Sequence, residues 1–580
     1  MATPTADKVI VTHKGALSAK YQPAGLKKIE AGLAKLIAAD AKRGVLTAVV
    51  DLSSKSEAKK EGFAAVPLAK VANAKLHKLA IDKIYAFHNR PAYLMLLGAP
   101  DVIPHVPLRN PLHSDGQADP DATVPSDLPY ACDVTYGVDA RKFIAPTRVL
   151  GRLPDVVGSI EEDYLVGLIE TAAGYKDRPL ADYDSYFGLS AKVWQESTAQ
   201  SLDKLFGAHT KLQLSPPVLF PTKAPGQLDS LLHFINCHGG ENLAAFYGQK
   251  DDDSPTVASL DFSQLNGKIK EGTVASVECC YGAQLFDPDT VDGSLGICNT
   301  YLREKAYGFF GSSTIAYGPA DGNELADLVC RFFLEHVREG ASLGRACLQA
   351  RLDYAQSLNG TITGTDLKTL AQFNLLGDPA ITPVQADASP MTAKTVGIAK
   401  LATKGLTGAA AVAHSASRVD RFSRDDRRDW LRKYSGLLAS AANCVGEARV
   451  DTALNAAAKG IRLPANTSAD DRNVGERLRE LTKEMKLESP TVLLFAMEGV
   501  DLGGAAKTTK SFMKGFAKTS GPSSTATAGQ RVHVVMERTP IKGDTPAGSE
   551  AAEAGESVRI RGFEAVELDG MLKVRKFVSR

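Results

Sequence analysis

The 580-residue sequence has few cysteines, almost no net charge and no long apolar run, and each shortage removes a class of protein. Its eight cysteines, at 132, 237, 279, 280, 298, 330, 347 and 444, include no Cys-x-x-Cys pair. That is too sparse for a disulfide framework and offers no paired zinc ligands, so the thiols are expected to be free and mostly buried as small apolar residues. Lys and Arg number 68 against 67 Asp and Glu, and a net charge of +1 gives no general field to draw in nucleic acid or an anionic membrane. No stretch approaches the ~20 apolar residues that span a bilayer. The opening "MATPTADKVIVTHKGALSAK" lacks the basic start and apolar block of a secretion signal. The sequence therefore predicts a soluble, cytoplasmic protein whose partners are neither nucleic acid nor membrane.

What is present is ample apolar material, 44% of residues, and a length that holds about three or four domains of ordinary size. Residues 1–180 alternate strand-like and helix-like segments. "KVIVTH" and "VLTAVVDLSS" are β-branched runs, and "AGLKKIEAGLAKLIAADAKRG" between them carries Leu and Ile at helical spacing before a glycine stop. "PAYLMLLGAPDVIP" is a continuous apolar run closed by a Gly/Pro turn, as an internal parallel strand is. After "TRVLGRLPD", the amphipathic helix "SIEEDYLVGLIETAAGYK" leads into a second set over 181–387. Its strands are read at "SYFGLSA", "LLHFINCHGG", "GTVASVECC" and "AYGFFGSSTIAYG", with helices between them. Such strands pair in parallel through right-handed crossovers and expose working groups beyond their carboxyl ends. Over 388–580 the composition shifts to alanine, serine and charge. Helices are expected at roughly 428–488, then three β runs, "TVLLFAME", "RVHVVMERT" and "VRIRGFEAVEL", with low-complexity loops at 518–529 and 541–556. The expected fold is α/β, with two tandem α/β sandwich subdomains of mostly parallel strands followed by a C-terminal α+β region.

Two of these strands end in groups that do chemistry. "FINCHGG" ends on His238 and "SVECC" on Cys280, so neighbouring parallel strands would set residues 42 positions apart at one sheet edge. A thiol attacks an acyl carbon as its thiolate, and an imidazole within reach takes the proton. Gly239 and Gly240 let the backbone approach a substrate carbonyl, where a main-chain N–H can stabilise an oxyanion. Alone, a strand-end histidine or a cysteine after an apolar run is usually structural; together, each with glycine close behind, they point to nucleophilic catalysis. Successive strand side chains face opposite ways, so if Cys280 turns toward His238, Cys279 turns into the packing.

An apolar block ending in His-Gly, a spacer and a second block ending in cysteine resembles the caspase-like cysteine peptidases. Seven segments in order over residues 1 to about 385 are similar to the gingipain-type branch, peptidase family C25: "AYLMLLGAPDVIP", "PSDLPYACDV", "RVLGRLPD", "FINCHGGEN", "ECCYGAQLFD", "GFFGSSTIAYG" and "FNLLGDPAITP". The resemblance implies a caspase-like fold and a cysteine endopeptidase that hydrolyses peptide bonds through an acyl-enzyme. It implies Cys280, last in its strand block, as nucleophile, His238 as base and acid, and the N–H groups of Gly239 and Cys280 as oxyanion donors. It further implies cleavage after basic residues by means of an acid near the start of the second half's first helix. "VWQESTAQ" offers Glu196 there, although a solvated helix-start acid is an equally ordinary use of that residue. Where the family often has Trp this chain has Gly318, which removes an aromatic wall of the substrate pocket that Tyr317 beside it would partly replace.

No cofactor is expected. Some family members bind calcium, and "DDDSPT" offers Asp251, Asp252 and Asp253, without the spaced ligands of an EF-hand. Asp127 in "PSDLPY" reads as structural, and Asp378 in "NLLGDPAI" as ordering a turn. The expected partner is a protein or peptide substrate. The compositional break makes residues 388–580 the candidate region for binding a regulatory protein, recruiting substrate or holding the enzyme off. The alternative function is a catalytically silent caspase-like scaffold whose C-terminal region binds a partner, a reading that the joint presence of His238 and Cys280 disfavours.

Overall fold

The structure is a computed structural model that describes residues 6–113, 119–218, 228–291, 293–358, 362–385, 449–464, 467–497, 530–540, 558–568 and 571–580. The first half alternates as expected: β1 (Lys8–Thr12), α1 (Lys14–Lys42), β2 (Thr47–Asp51), α2 (Lys55–Glu61), α3 (Ala74–Phe87) and β3 (Tyr93–Leu97). A hairpin of β4 (Val106–Arg109) and β5 (Thr123–Ser126) follows, then α4 (Leu128–Ala131), β6 (Val149–Leu153) and α5 (Asp163–Gly174). The second half opens with β7 (Tyr186–Ala191), α6 (Gln195–Phe206), β8 (Leu212–Ser215) and β9 (Leu232–Asn236). It continues through β10 (Ala245–Gln249), β11 (Thr256–Asp261), α7 (Phe262–Leu265), β12 (Val274–Val277), α8 (Ile297–Arg303) and β13 (Gly308–Ser312). Last come β14 (Tyr317–Gly318), α9 (Ala326–Arg338), α10 (Leu343–Ser357), α11 (Gly364–Gln372) and β15 (Phe373–Gly377).

The two expected sheets are joined into one of ten strands, ordered β2-β1-β3-β6-β15-β13-β12-β9-β7-β8. The seam is β15, parallel to β6 on one side and antiparallel to β13 on the other. Helices α1, α5 and α8 pack together on one side, and α6, α9 and α10 on the other. With both faces covered, β1, β3, β6, β9, β12, β13 and β15 are buried along their whole length, which is why their sequences read as unbroken runs instead of alternating. Asp127 grips the buried Arg152 with both oxygens at 2.5 and 2.8 Å and meets His105 at 2.9 Å. Asp378 accepts from the Ala380 N–H at 2.9 Å and pairs with the buried Lys8. Among the described residues all seven cysteines are free and buried, and no helix is long and apolar enough to cross a membrane.

The C-terminal region comprises β16 (Arg449–Val450), α12 (Thr452–Ala458), α13 (Ala469–Glu484), β17 (Thr491–Met497), β18 (Gln530–Pro540), β19 (Val558–Leu568) and β20 (Met571–Ser579). Cys444, the helix expected before residue 449 and both low-complexity loops lie outside the described residues. The strands form an antiparallel sheet in the order β14-β20-β19-β18-β17-β16, so that its edge strand, β14, comes from the second half of the α/β unit. "GFFGSSTIAYG", expected as one strand, is thus divided between two sheets. Alternation along β18 sends Val535 to α13 and its neighbours Val534 and Met536 to the α/β core. Polar contacts reinforce that seam: Arg575 meets Asp366 at 2.9 Å and Thr363 at 3.0 Å across it, and Glu564 of its own sheet at 2.5 Å.

Candidate active site

The site lies where β9 and β12 end side by side. Their parallel register runs from Leu232↔Val274 to Ile235↔Val277, and the Glu278 N–H continues it to the Ile235 carbonyl at 2.9 Å. The same offset of 42 places His238 level with Cys280. A side chain at Gly239 would run into the Cys280 carbonyl oxygen, so the turn after the histidine needs glycine to lie against the cysteine. Cys279 faces the other way, its sulfur accepting from the Cys237 N–H at 3.4 Å. Cys280 is 2% exposed, and its sulfur sits against Ala316, accepting from its N–H at 3.3 Å and donating to its carbonyl at 3.6 Å; no hydrogen bond joins it to the imidazole.

His238 is held from its far side. Gln249, at the end of β10, donates its amide to the carbonyls of Ser254 (2.8 Å) and Asp252 (3.3 Å), which leaves its oxygen facing His238 Nε2 at 2.9 Å. Nε2 therefore carries the ring proton, and Nδ1, buried and without a hydrogen-bond partner, keeps its lone pair. The Trp194 ring lies 4.4 Å away, tilted by 57°. Burial pulls the His238 pKa down to about 3 and pushes the Cys280 thiol up to about 12. In this closed cleft both groups are neutral.

Arg580 lies over the end of the cysteine strand. The Arg580 N–H donates to the Ala316 carbonyl at 2.9 Å, and its own carbonyl oxygen accepts from the Cys280 N–H at 2.5 Å. Its side chain is fully buried. The guanidinium pairs with Glu278, with both oxygens of Asp327 at 2.5 and 3.1 Å, with Ser197 Oγ at 3.1 Å and with the Pro319 carbonyl at 2.5 Å. Burial and the neighbouring Asp327 push the Glu278 carboxyl well above the usual range, and the guanidinium pulls the other way. Two acids crowded in a dry pocket call for a cation.

These acids are not the one expected. Glu196 is exposed and lies in an open groove with Lys192, Val193, Gln195 and Ala320, while the next residue, Ser197, is the one that reaches the guanidinium. The Tyr317 hydroxyl is committed to Asp119 and its ring packs edge-on against Phe577 at 5.2 Å, and the aromatic beside the guanidinium is Trp194, at 5.4 Å. Gly318 lies against the same guanidinium, and a Cβ there would stand 2.6 Å from Arg580 Nη2. The acidic loop is taken up by cations of the C-terminal region. Arg559 donates to the Asp252 carbonyl at 3.0 Å, Arg561 lies 3.4 Å from the Asp252 carboxylate, and Lys486 lies 3.9 Å from Asp253. No described cluster of His, Cys, Asp or Glu is arranged to hold a metal. Sequence reading missed Glu278, Asp327, Trp194 and Gln249. Only Glu278 left a local signal, as a lone acid inside an apolar run and two residues before Cys280, hence on its face.

Residues 229–384 match the sequence model of peptidase family C25, a family of gingipain-type cysteine peptidases with the caspase-like fold. The matched span runs from β9 to just past β15 and contains both His238 and Cys280. No curated protein matches the chain. Among 14 matching chains of solved structures, one described as "Structure of Protease" is 16% identical, covers 66% of this chain and 79% of its own, and superposes with a TM-score of 0.40.

Proposed function

We propose that the protein is a cysteine endopeptidase that cleaves after arginine, with Cys280 as nucleophile and His238 as base. With a peptide in the cleft, His238 Nδ1 takes the Cys280 proton and the sulfur attacks the P1 carbonyl carbon. The developing oxyanion lies on the Cys280 N–H, where the Arg580 oxygen now sits, with Gly239 N–H as the second donor. Collapse of this intermediate breaks the peptide bond, and the departing amine takes its proton from His238. A water molecule, deprotonated by the same imidazole, then hydrolyses the thioester and releases the carboxylate product. Gln249 keeps the imidazole in the tautomer that this sequence needs, and Glu278 with Asp327 selects the P1 guanidinium.

The observation that carries this reading is Arg580 itself, an arginine whose charged end meets two buried acids while its carbonyl meets the Cys280 N–H. The test is a panel of fluorogenic peptides varied at P1, assayed with the intact chain, with Arg580→Ala, and with Cys279→Ala and Cys280→Ala made in the more active of the two. Turnover restricted to Arg and, more weakly, Lys is expected, lost in Cys280→Ala and kept in Cys279→Ala. Turnover that survives Cys280→Ala, or that ignores the P1 residue, overturns it.

A further inference from the structure

We propose that β20 and Arg580 are a built-in occupant of the substrate cleft, an antiparallel strand laid on β14 as a substrate would be, which a substrate must displace. The proposal rests on the peptidase reading and names how that site is regulated.

Four independent contacts describe the same alignment. Ser579 pairs with Tyr317 and Val578 with Gly318, so the strand adds to an otherwise free two-residue edge. The next backbone step, Arg580 N–H to Ala316, carries the pairing to the cysteine, and the Arg580 oxygen meets the Cys280 N–H. In this alignment Arg580, Ser579 and Val578 stand at P1, P2 and P3. Val578 packs against Ala191 and Trp194, which gives the third position an apolar seat on the peptidase. Ser579 instead accepts from the Ile560 N–H of β19, so its side chain faces the C-terminal sheet, and the peptidase itself offers the second position little to select on.

The strand is held by the body it belongs to. β20 pairs with β19 along eight residue pairs, Arg561↔Val578 to Leu568↔Met571. Arg575 locks β20 to Asp366 of α11 and to Glu564 of β19, and Thr363 at the start of α11 accepts from the same guanidinium. A tethered strand competes at an effective concentration in the millimolar range, so a free peptide sees only the fraction of molecules whose cleft has opened. The buried thiol follows from the same contact, because Arg580 and its strand exclude the water that would solvate a thiolate.

The test compares the full chain with Arg580→Ala, using iodoacetamide and mapping alkylation at Cys280 by mass. Alkylation is expected to be at least tenfold faster in the variant at neutral pH, with cleavage of P1-Arg peptides rising in parallel. The free peptide Lys-Phe-Val-Ser-Arg, copied from residues 576–580, is expected to slow both again. Faster alkylation with no cleavage of any peptide keeps the closure and overturns the peptidase reading. Equal alkylation in both chains, with the intact chain already cleaving at the variant's rate, overturns the closure and leaves the peptidase reading standing. If the melting curve shows Arg580→Ala unfolded, Arg580→Lys replaces it. That variant keeps the charge but loses the fork of donors; an intermediate rate is expected, and an unchanged one overturns the closure.

Discussion

Replacing Gly318 by alanine is a sharp probe of the arginine pocket, because it adds one methyl group and removes no polar contact. The new Cβ would stand 2.6 Å from Nη2 of a seated guanidinium. Cζ, the nearest atom, would be overlapped more deeply still, so relief to ordinary contact requires a displacement of more than about 1 Å. Nη2 is the atom shared by Ser197 and Pro319, at 3.1 and 2.5 Å, and it also reaches Asp327 Oδ2 at 3.1 Å. Hydrogen bonds from a charged group contribute ~1.5–3 kcal/mol each, so weakening one or two costs about 2–4 kcal/mol. That corresponds to a fall of roughly 30- to 700-fold in kcat/KM for P1-Arg peptides. The assay is best run in the Arg580→Ala chain, where no resident arginine competes, against a P1-Ala peptide as reference. The Arg/Ala ratio of kcat/KM is expected to collapse while Cys280 alkylation is unchanged. An unchanged ratio would falsify the placement of Gly318 beside the P1 side chain.

Glu278→Gln should lower kcat/KM for Arg peptides by about 10- to 150-fold, the equivalent of one charged hydrogen bond. It should also flatten a rise with pH that the wild type shows as the raised Glu278 carboxyl loses its proton; a variant with the same pH profile as its parent would remove Glu278 from the pocket. Gln249→Glu puts a carboxylate on His238 Nε2 and should move the acid limb of kcat/KM to higher pH with little change in KM, whereas a limb that stays in place would deny Gln249 its positioning role. His336 lies between Asp353 at 2.8 Å and Glu339 at 2.9 Å; burial opposes its charge, but the two carboxylates prevail and raise its pKa to about 9. A raised histidine stabilises fully below its unfolded value near 6.5 and loses that contribution as pH climbs through about 9. Melting temperature should therefore fall across that window, from a contribution of about 3 kcal/mol. His336→Gln should lack this slope, and parallel curves for the two proteins would discount the ion pair.

What could be read from the sequence was whatever depends on neighbours along the chain. His238 and Cys280 are visible because each closes an apolar run and has a glycine within two residues behind it, and the sheet register brings them level with the offset that their numbers already had. The alternation that separates Cys279 from Cys280 also puts Glu278 on the side of Cys280, but nothing local says that an arginine waits there. Asp327 and Gln249 arrive from a helix and a hairpin that only tertiary packing brings near. Three of the five described strands of the C-terminal region, β17, β18 and β19, are legible as apolar runs. The strand β20 is not, because "MLKVRKFVS" carries Lys573, Arg575 and Lys576, which read as solvated charge until Asp366 and Glu564 account for Arg575. Glu196 was the acid nearest in sequence to the expected place; it is exposed, while Ser197, one residue on, accepts from the Arg580 guanidinium.

The position of β15 has a consequence for how the chain is made. Its partner β6 is complete at Leu153, but Leu376, the residue that pairs with Arg152, emerges 223 residues after that. At roughly 5–20 residues per second on a ribosome, β6 stands as a bare edge for about 10–45 s. The nascent first half is therefore the stage at which the protein is open to aggregation, and a ribosome stalled anywhere before residue 377 should yield a fragment that needs a chaperone. Once the seam closes, both halves share one cooperative unit, and neither is expected to survive as a folded piece when the other is removed.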